Sequence, residues 1–420
     1  MRRAHAAAAA VLLAAQLSSA QETPGSARVT LDDAIRLALE RNHGLQATRT
    51  TIQQSQAQEV TAGLRPNPVL SADWQSLPLF APDEGLGTYL HDSTQIDLGL
   101  AYTFEIGKRG RRIDAAKDAT AVTRSQVADS ERTIAFQVAS GFIQVQLAES
   151  TLELAQQNLG SFQSAVDIGE ERFKRGGLSE NDFLKIKLQL LQFQTDLEQA
   201  QLAKVQGLAN LRQLLGHDSV LPDYDVSGAF DYQPVHVQLE ELEKLAVQSR
   251  PDLRAAQLGV AAASSQVALA EVNGRPDVTL SGTYSRSSGQ NTATVGVSVP
   301  LPIFDRNQGE VARTRAAAIQ AEQQRAESSG QVQTDVKGAF EGLQETDRVV
   351  RYYRSGYLDV ARRSHDISEY AYQKGGTSLF DFLDAERSYR ATELGYRQAL
   401  AAYLVAVEQL RQAVGTRSLP

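Results

Sequence analysis

The chain has 420 residues, with 42 basic against 50 acidic side chains, 42% hydrophobic residues and no cysteine. A formal charge of −8 argues against nucleic acid as a partner, and the missing cysteines exclude a disulfide framework, a thiolate metal site and a lipidated N-terminal cysteine. No apolar run is long enough to cross a bilayer as a helix, so entry into a membrane requires closed β-structure.

The chain opens as a secretory signal: Arg2 and Arg3, an apolar stretch from Ala6 to Ala15, and small residues Ser18-Ser19-Ala20, which predict cleavage near Ala20. Residues 1–20 hold two arginines and no acid, so their removal takes the charge from −8 to −10. The remainder repeats one pattern. Residues 21–216 form a first copy and 238–415 a second, joined by a linker at 217–237 and followed by a tail at 416–420. Each copy reads as a helix, two short alternating strands and a long helical hairpin. The period far exceeds the roughly 20–50 residues of a solenoid unit, so the chain is a duplicated half-molecule.

In the first copy, Leu70, Ala72 and Trp74 alternate with Ser71, Asp73 and Gln75; Ile96, Leu98, Leu100, Tyr102 and Phe104 then alternate with Asp97, Gly99, Ala101, Thr103 and Glu105. The second copy repeats this over Asp277–Ser285 and Thr294–Val299. Four such segments predict transmembrane strands with apolar residues outward, and Trp74, Tyr102, Phe104 and Tyr284 stand near strand ends, where membrane-interface aromatics belong. The alternative is a soluble sheet with one face on a core, but no sequence is left to cover that face. Loops 77–92 and 286–291 join paired strands and should face the exterior. Four strands cannot close a barrel and an open edge is forbidden in lipid, so copies of the chain must pool strands, eight from two or twelve from three. Twelve leaves room for solutes. Lys108, Arg109, Arg111 and Arg112 follow the second strand, either as a solvated helix start or as contacts to lipid headgroups.

From Arg109 to Phe173 nothing breaks a helix, which predicts about 65 residues and about 100 Å of rod. Val138, Val145, Leu152, Leu159, Val166 and Phe173 fall every seven residues, beside a second track of mostly small residues, Ile134, Gly141, Ala148, Ala155, Phe162 and Gly169. This period predicts left-handed supercoiling with close helix approach. An equal helix is predicted from Gln308 to Gln373, with Val336, Leu343, Val350 and Tyr357 on the beat; returning helices run from Ser179 to Leu215 and from Ser378 to Val414. The helices alone equally permit a coiled-coil rod. Gly176-Gly177-Leu178-Ser179 and Gly375-Gly376-Thr377-Ser378 reverse the two hairpins, glycine ending one helix and serine starting the next. Asp381 and Asp384 share one face of the turn that follows, and Ser378-x-x-Asp381 also fits a capping box. The first copy has Asp182 and Lys185 at the matching places.

The six histidines, His5, His43, His91, His217, His236 and His365, show no metal-ligand spacing, and the single methionine is the initiator. No phosphate-cradling loop or nucleophile elbow is present, so neither enzyme activity nor a cofactor is expected.

The duplicated frame with its two tip motifs resembles the TolC family of outer-membrane efflux ducts over essentially all of the mature chain. Gly63-Leu64-Arg65-Pro66-Asn67-Pro68 and Phe104-Glu105-Ile106-Gly107-Lys108-Arg109-Gly110 resemble its heavy-metal-efflux subgroup, of the cobalt–zinc–cadmium type. The resemblance implies an α+β membrane protein, internally duplicated, in which a homotrimer closes a twelve-stranded transmembrane β-barrel from four strands per protomer, continuous with a long-helix coiled-coil α-barrel in the periplasm. It implies an exit duct in the outer membrane of a Gram-negative cell, in contact with outer-membrane lipid, a periplasmic adaptor and an inner-membrane pump of the resistance-nodulation-division type. It implies adaptor docking at Gly176, Gly177, Leu178, Ser179, Gly375, Gly376, Thr377 and Ser378, and a gate of Asp381 and Asp384 with Asp182 and Lys185. Six carboxylates brought together in a trimer should attract cations and raise some of their pKa values, and a Lys185–Asp384 contact between neighbours would hold the aperture shut. Many relatives carry a lipidated cysteine at the mature N-terminus; without one, anchoring falls to the barrel. A drug, solvent or type I secretion duct shares all these features, and a periplasmic coiled-coil scaffold is the alternative of another class.

Overall fold

The structure, a computed structural model, describes residues 28–77, 79, 80, 83 and 85–419; the expected signal segment and its cleavage site lie outside them. In chain order the elements are β1 (Arg28–Val29), α1 (Leu31–Arg41), α2 (His43–Gly63), β2 (Val69–Gln75), α3 (Leu86–Asp92), β3 (Gln95–Phe104), α4 (Lys108–Lys174), α5 (Glu180–Leu215) and β4 (Asp225–Val226). The second copy follows with α6 (Leu239–Ser249), α7 (Pro251–Asn273), β5 (Val278–Ser287), β6 (Gln290–Ser298), α8 (Gln308–Tyr352), a π-helical turn at Tyr353–Tyr357, α9 (Leu358–Lys374) and α10 (Leu379–Val414).

The chain divides into two compact units, and each draws on both copies of the repeat. One holds the residues up to Asn42, Gln137–Asp231 and Gly356–Ala401; the other holds His43–Phe136, Tyr232–Ser355 and the residues from Ala402 onward.

The second unit contains an antiparallel sheet of order β2-β3-β5-β6, so the copies are joined where β3 pairs with β5. The register places Leu70, Ala72 and Trp74 opposite Leu100, Leu98 and Ile96, and Tyr102 opposite Leu280, which lies opposite Val297. All the apolar strand residues but Val69 and Ala101 therefore share one face, and that face is bare: Leu70 is 77% exposed and Val295 78%. On the polar face the inner strands β3 and β5 are the covered ones. There Asp97 is buried and accepts hydrogen bonds from Gln75 and Gln95 at 2.8 Å each, and the Thr103 and Thr279 hydroxyls meet at 2.9 Å. A soluble sheet resting its apolar face on a core is thereby excluded.

Two loop expectations change. β5 and β6 extend through most of 286–291 and meet in a two-residue turn, Ser288-Gly289, with φ of 51° and 75°, the left-handed pair whose twist matches a hairpin. The segment 77–92 carries the short α3. The expected leading helix of each copy is also two helices. Pro251 drives Arg250 into extended backbone (ψ 119°), and Asn42, at ψ 117°, does the same without a proline. Each break residue caps a returning helix: Asn42 Nδ2 donates to the Leu214 carbonyl at 2.9 Å, and the buried Arg250 donates to the Ala413 carbonyl at 3.1 Å. Arg250 also holds Asp252 and Asp335.

The 67-residue α4 is unbroken. Val138, Val145 and Val166 are buried, Leu152 and Leu159 are half-buried, and Phe173 is exposed at the end of the seam. The expectation of an equal helix from Gln308 to Gln373 fails at Tyr353–Tyr357, where Gly356 has φ 118°. Val336, Leu343 and Val350 are buried on the beat, but Tyr357 is 65% exposed, and burial resumes at His365 and Tyr372. Those positions come one residue later than a strict count of seven, which is the phase change that a single π-turn inserts.

The basic cluster behind β3 serves the fold. Lys108 pairs with Asp277 at 2.8 Å, Arg112 holds Glu105 and the Leu64 carbonyl, and Arg109 donates to the Gly63 carbonyl at 2.6 Å. It ties the start of α4 to the end of α2 and the entry of β5.

An alanine forced to adopt φ near 118° carries strain of about 1–3 kcal/mol. Gly356→Ala is therefore expected to lower the thermal midpoint of the detergent-solubilised protein. Gly259→Ala, inside α7 with open space where the Cβ would stand, should raise it.

Candidate functional site

Both hairpin tips lie in the first unit, and both reverse by the same local chemistry. At the first, Gly176 adopts φ 75°, its N–H donates to the Phe173 carbonyl at 3.0 Å, and the Gly177 N–H donates to the Arg172 carbonyl at 2.8 Å. At the second, Gly375 adopts φ 79° and the matching bonds run to Tyr372 and Ala371. This is the Schellman arrangement, which satisfies the last carbonyls of a helix and needs a left-handed residue that glycine provides freely. Ser179 then caps α5, its Oγ accepting from the Asp182 N–H at 3.1 Å and donating to the Asp182 carboxylate at 2.8 Å. Ser378 treats Asp381 alike, at 3.2 Å and 2.7 Å, and the Thr377 hydroxyl adds a 3.3 Å bond to the same carboxylate.

These caps set the electrostatics of one chain. The Ser179 hydroxyl, then Lys185, hold the Asp182 carboxyl below the usual carboxylate range; the Ser378 hydroxyl does the same for Asp381. That direction is opposite to the one expected of a ring of carboxylates. Lys185 pairs with Asp182 at 3.3 Å, and Asp384 pairs with Arg387 at 2.5 Å, so both find ion partners on their own helices. Asp182, Lys185, Asp381 and Asp384 all stand exposed or partly exposed.

Beneath the tips one buried cluster joins the two hairpins: Phe162, Val166, Ile186, Phe193, Tyr372, Leu379 and Phe382, with Leu178 packed against it. Its rings form a column. Phe193 stacks on Phe162 at 4.5 Å, Phe162 on Phe382 at 6.2 Å, and Phe382 on Tyr372 at 4.9 Å. A guanidinium closes each end, Arg390 over Phe193 at 4.3 Å and Arg172 over Tyr372 at 5.1 Å. The Arg172 side chain also donates to the Gln373 carbonyl at 3.0 Å, tying the first tip to the second. Arg390 reaches Asp196 on α5 at 2.9 Å.

One pair escapes a reading of the sequence. His365 on α9 and Glu386 on α10 are both buried, with Nε2 and Oε2 2.6 Å apart. The Glu386 carboxylate raises the His365 pKa to about 8, against the opposing effect of burial. The signal was present in the spacing: Glu386 follows the buried Leu379 and Phe382 by seven and four residues, and His365 precedes the buried Tyr372 by seven. His365, Asp366 and Glu369 bring ligand-type atoms within 4.8 Å of one another. Both ring nitrogens of His365 already face carboxylates, Glu386 and Asp366, so the group is an ion-pair cluster and not a metal centre.

The four aromatics expected at the membrane interfaces divide between the two ends of the sheet. Trp74 lies opposite Ile96 and Tyr284 opposite Leu98, while Tyr102 and Phe104 lie at the other end, their rings 4.8 Å apart. From the level of Ile96 to that of Phe104 is about 27 Å of strand, comparable with the roughly 25 Å apolar band of an outer-membrane barrel.

A sheet turned apolar side outward, attached to helices of 67 and 36 residues, defines a membrane-inserted channel protein. The chain belongs to the outer membrane efflux protein family, whose model matches residues 34–217 and again 242–416. It is 23% identical over 393 residues to the cobalt-zinc-cadmium resistance protein CzcC of Cupriavidus metallidurans, covering 92% of this chain and 90% of that one. It is 26% identical over 416 residues to the pyoverdine export outer membrane protein OpmQ of Pseudomonas putida, covering 92% and 85%. Among solved structures, CusC, described in connection with folding and transmembrane channel formation, superposes with a TM-score of 0.76 at 20% identity over 92% of each chain. The matching family is one of transport ducts and not of enzymes, as the sequence reading expected.

The Tyr372 hydroxyl is buried with no hydrogen-bond partner. Tyr372→Phe removes an unsatisfied polar atom and keeps the ring, so it is expected to leave stability equal or higher. Phe162→Ala should cost about 3–5 kcal/mol by opening a cavity in the middle of the column. Denaturant melts of the two variants in detergent test the contrast.

Proposed function

We propose that this chain is the exit duct of a tripartite efflux system, conducting passively through a homotrimer that spans the outer membrane and extends into the periplasm. The observation that carries the reading is the sheet. Its apolar face is bare, and β2 and β6 are each paired along one edge only. In hydrocarbon both edges need partners, and further copies of the same chain supply them. Three copies give twelve strands, wide enough for a lumen.

The gate lies at the tips, with Asp381 and Asp384 as its acidic face and Asp182 and Lys185 beside them. Gly176, Gly177, Leu178, Ser179, Gly375, Gly376, Thr377 and Ser378 dock a periplasmic adaptor, which links the duct to an inner-membrane pump of the resistance-nodulation-division type. Trp74, Tyr102, Phe104 and Tyr284 mark the membrane interfaces. Heavy-metal cations are the cargo, in line with the likeness to CzcC; the likeness to OpmQ favours export of an organic substrate such as pyoverdine as the second reading.

Asp381→Ala combined with Asp384→Ala should raise single-channel conductance in planar bilayers severalfold by removing charge and bulk from the aperture, whereas unchanged conductance would remove the gate. A deletion strain should lose tolerance to zinc, cobalt or cadmium salts. Retained metal tolerance with lost export of an organic substrate would transfer the cargo to the second reading.

A further inference from the structure

We propose that His365 and Glu386 act as a positioning pair for the gate, a proton-dependent clamp that fixes the first turns of α10 against α9 and lets them go in mild alkali. The proposal rests on the gate reading above. Glu386 stands two residues after Asp384 and five after Asp381, so whatever holds Glu386 holds the segment bearing both acids. The His365 and Glu386 side chains are only 11% and 7% exposed, and the 2.6 Å contact between them bridges the two arms of the second hairpin. The ring is fixed on its other edge by Asp366, at 3.2 Å from Nδ1, and on its face by Tyr389, centroid to centroid 4.8 Å.

An imidazolium with a carboxylate at each nitrogen is the arrangement these distances describe. One cation besides the imidazolium reaches Glu386: Arg390, whose buried Nε has no hydrogen-bond partner. On α9, Asp366 and Glu369 are both acidic and favour the cation. On α10, Arg390 lies 3.8 Å from Glu386 but is already committed to Asp196 of α5 at 2.9 Å. Arg397 is held by Glu393 and by the Ser150 hydroxyl of α4, and Arg362 stands near Tyr389. When His365 loses its proton, the buried Glu386 carboxylate loses its charged partner at 2.6 Å and is left facing Arg390 at 3.8 Å, which loosens the contact between the helices or draws water in.

The pH window follows from the direction of the shift. With the pKa of His365 moved from 6.5 up to about 8, the clamp contributes fully below 6.5 and is lost as pH rises through about 8. Asp182 and Asp381 are held below the usual carboxylate range and do not titrate in that window.

The test is single-channel conductance of the reconstituted full chain between pH 6.5 and 9.5, together with thermal melts over the same range. The wild-type protein should show a conductance step upward and a fall in melting temperature, both centred near pH 8. Glu386→Gln removes the carboxylate that holds the proton, so the step should move down toward pH 6.5; His365→Gln should abolish it. A wild-type conductance flat across the range, or a step that survives in His365→Gln, overturns the proposal. If Asp381→Ala with Asp384→Ala leaves conductance unchanged, the gate reading has failed and the clamp is judged on the melts alone. A fall near pH 8 that is absent in His365→Gln upholds it, and identical profiles reject it.

Discussion

Strand pairing across the duplication, β3 with β5, turns two weak hairpins into one sheet, and the alternation within each strand decides which way that sheet can live. One face, from Leu70 through Leu100 and Gly282 to Val295, is apolar or glycine except for Arg286 and Asn291 at the hairpin end, and among the described residues its apolar side chains stay largely exposed. At roughly 25 cal/mol per Å² of apolar area, leaving that face in water opposes folding, while lipid removes the penalty. The hydrocarbon that solves the face creates a new demand at the edges. Unsatisfied N–H and C=O groups there cost several kcal/mol each, so the assembly is dictated by backbone chemistry before any side chain recognises another.

The helical part obeys a different economy. Long helices gain little from propensity and are stabilised by their seams, and here the seams converge on the aromatic column below the tips. The column joins α4, α5, α9 and α10, so residues far apart in sequence share one packed core. Polar ties reinforce it at its margins, through Arg172 to the Gln373 carbonyl and Arg390 to Asp196. The tips themselves are closed by backbone bonds and serine caps, so their exposed side chains carry little of the fold and are free for recognition.

Much of this was legible because it is periodic. A period of two over four segments located the strands to within a few residues, and a period of seven marked the seams of α4 and α8. The turn motifs at Gly176 and Gly375 marked the reversals because a left-handed cap has few sequence solutions. What was hidden was aperiodic or tertiary. Asn42 breaks a helix with no proline beside it, and its cause is a carbonyl at Leu214, 172 residues away. Gly356 looks like any other single glycine in a helical run, since nothing local distinguishes it from Gly342 or Gly338. The spacing puts His365 and Glu386 each on a buried face, but that they meet shows only when the two helices are brought face to face. Lys108, Arg109 and Arg112 looked like a surface patch because their acceptors, Asp277, Gly63 and Glu105, are distributed over both copies.

The π-turn at Tyr353–Tyr357 has an evolutionary consequence. Counting in sevens from Val350 leads to Ser364 and Ala371; counting with one extra residue leads to His365 and Tyr372, the residues that are buried. Loss of a single codon around Gly356 would let the turn relax to plain α-helix with His365 and Tyr372 still on the buried beat, whereas straightening the turn with that residue retained would bring a hydroxymethyl and a methyl to places built for an imidazole and a phenol. The two descendants of the ancestral duplication differ in this frame, since α4 counts without interruption.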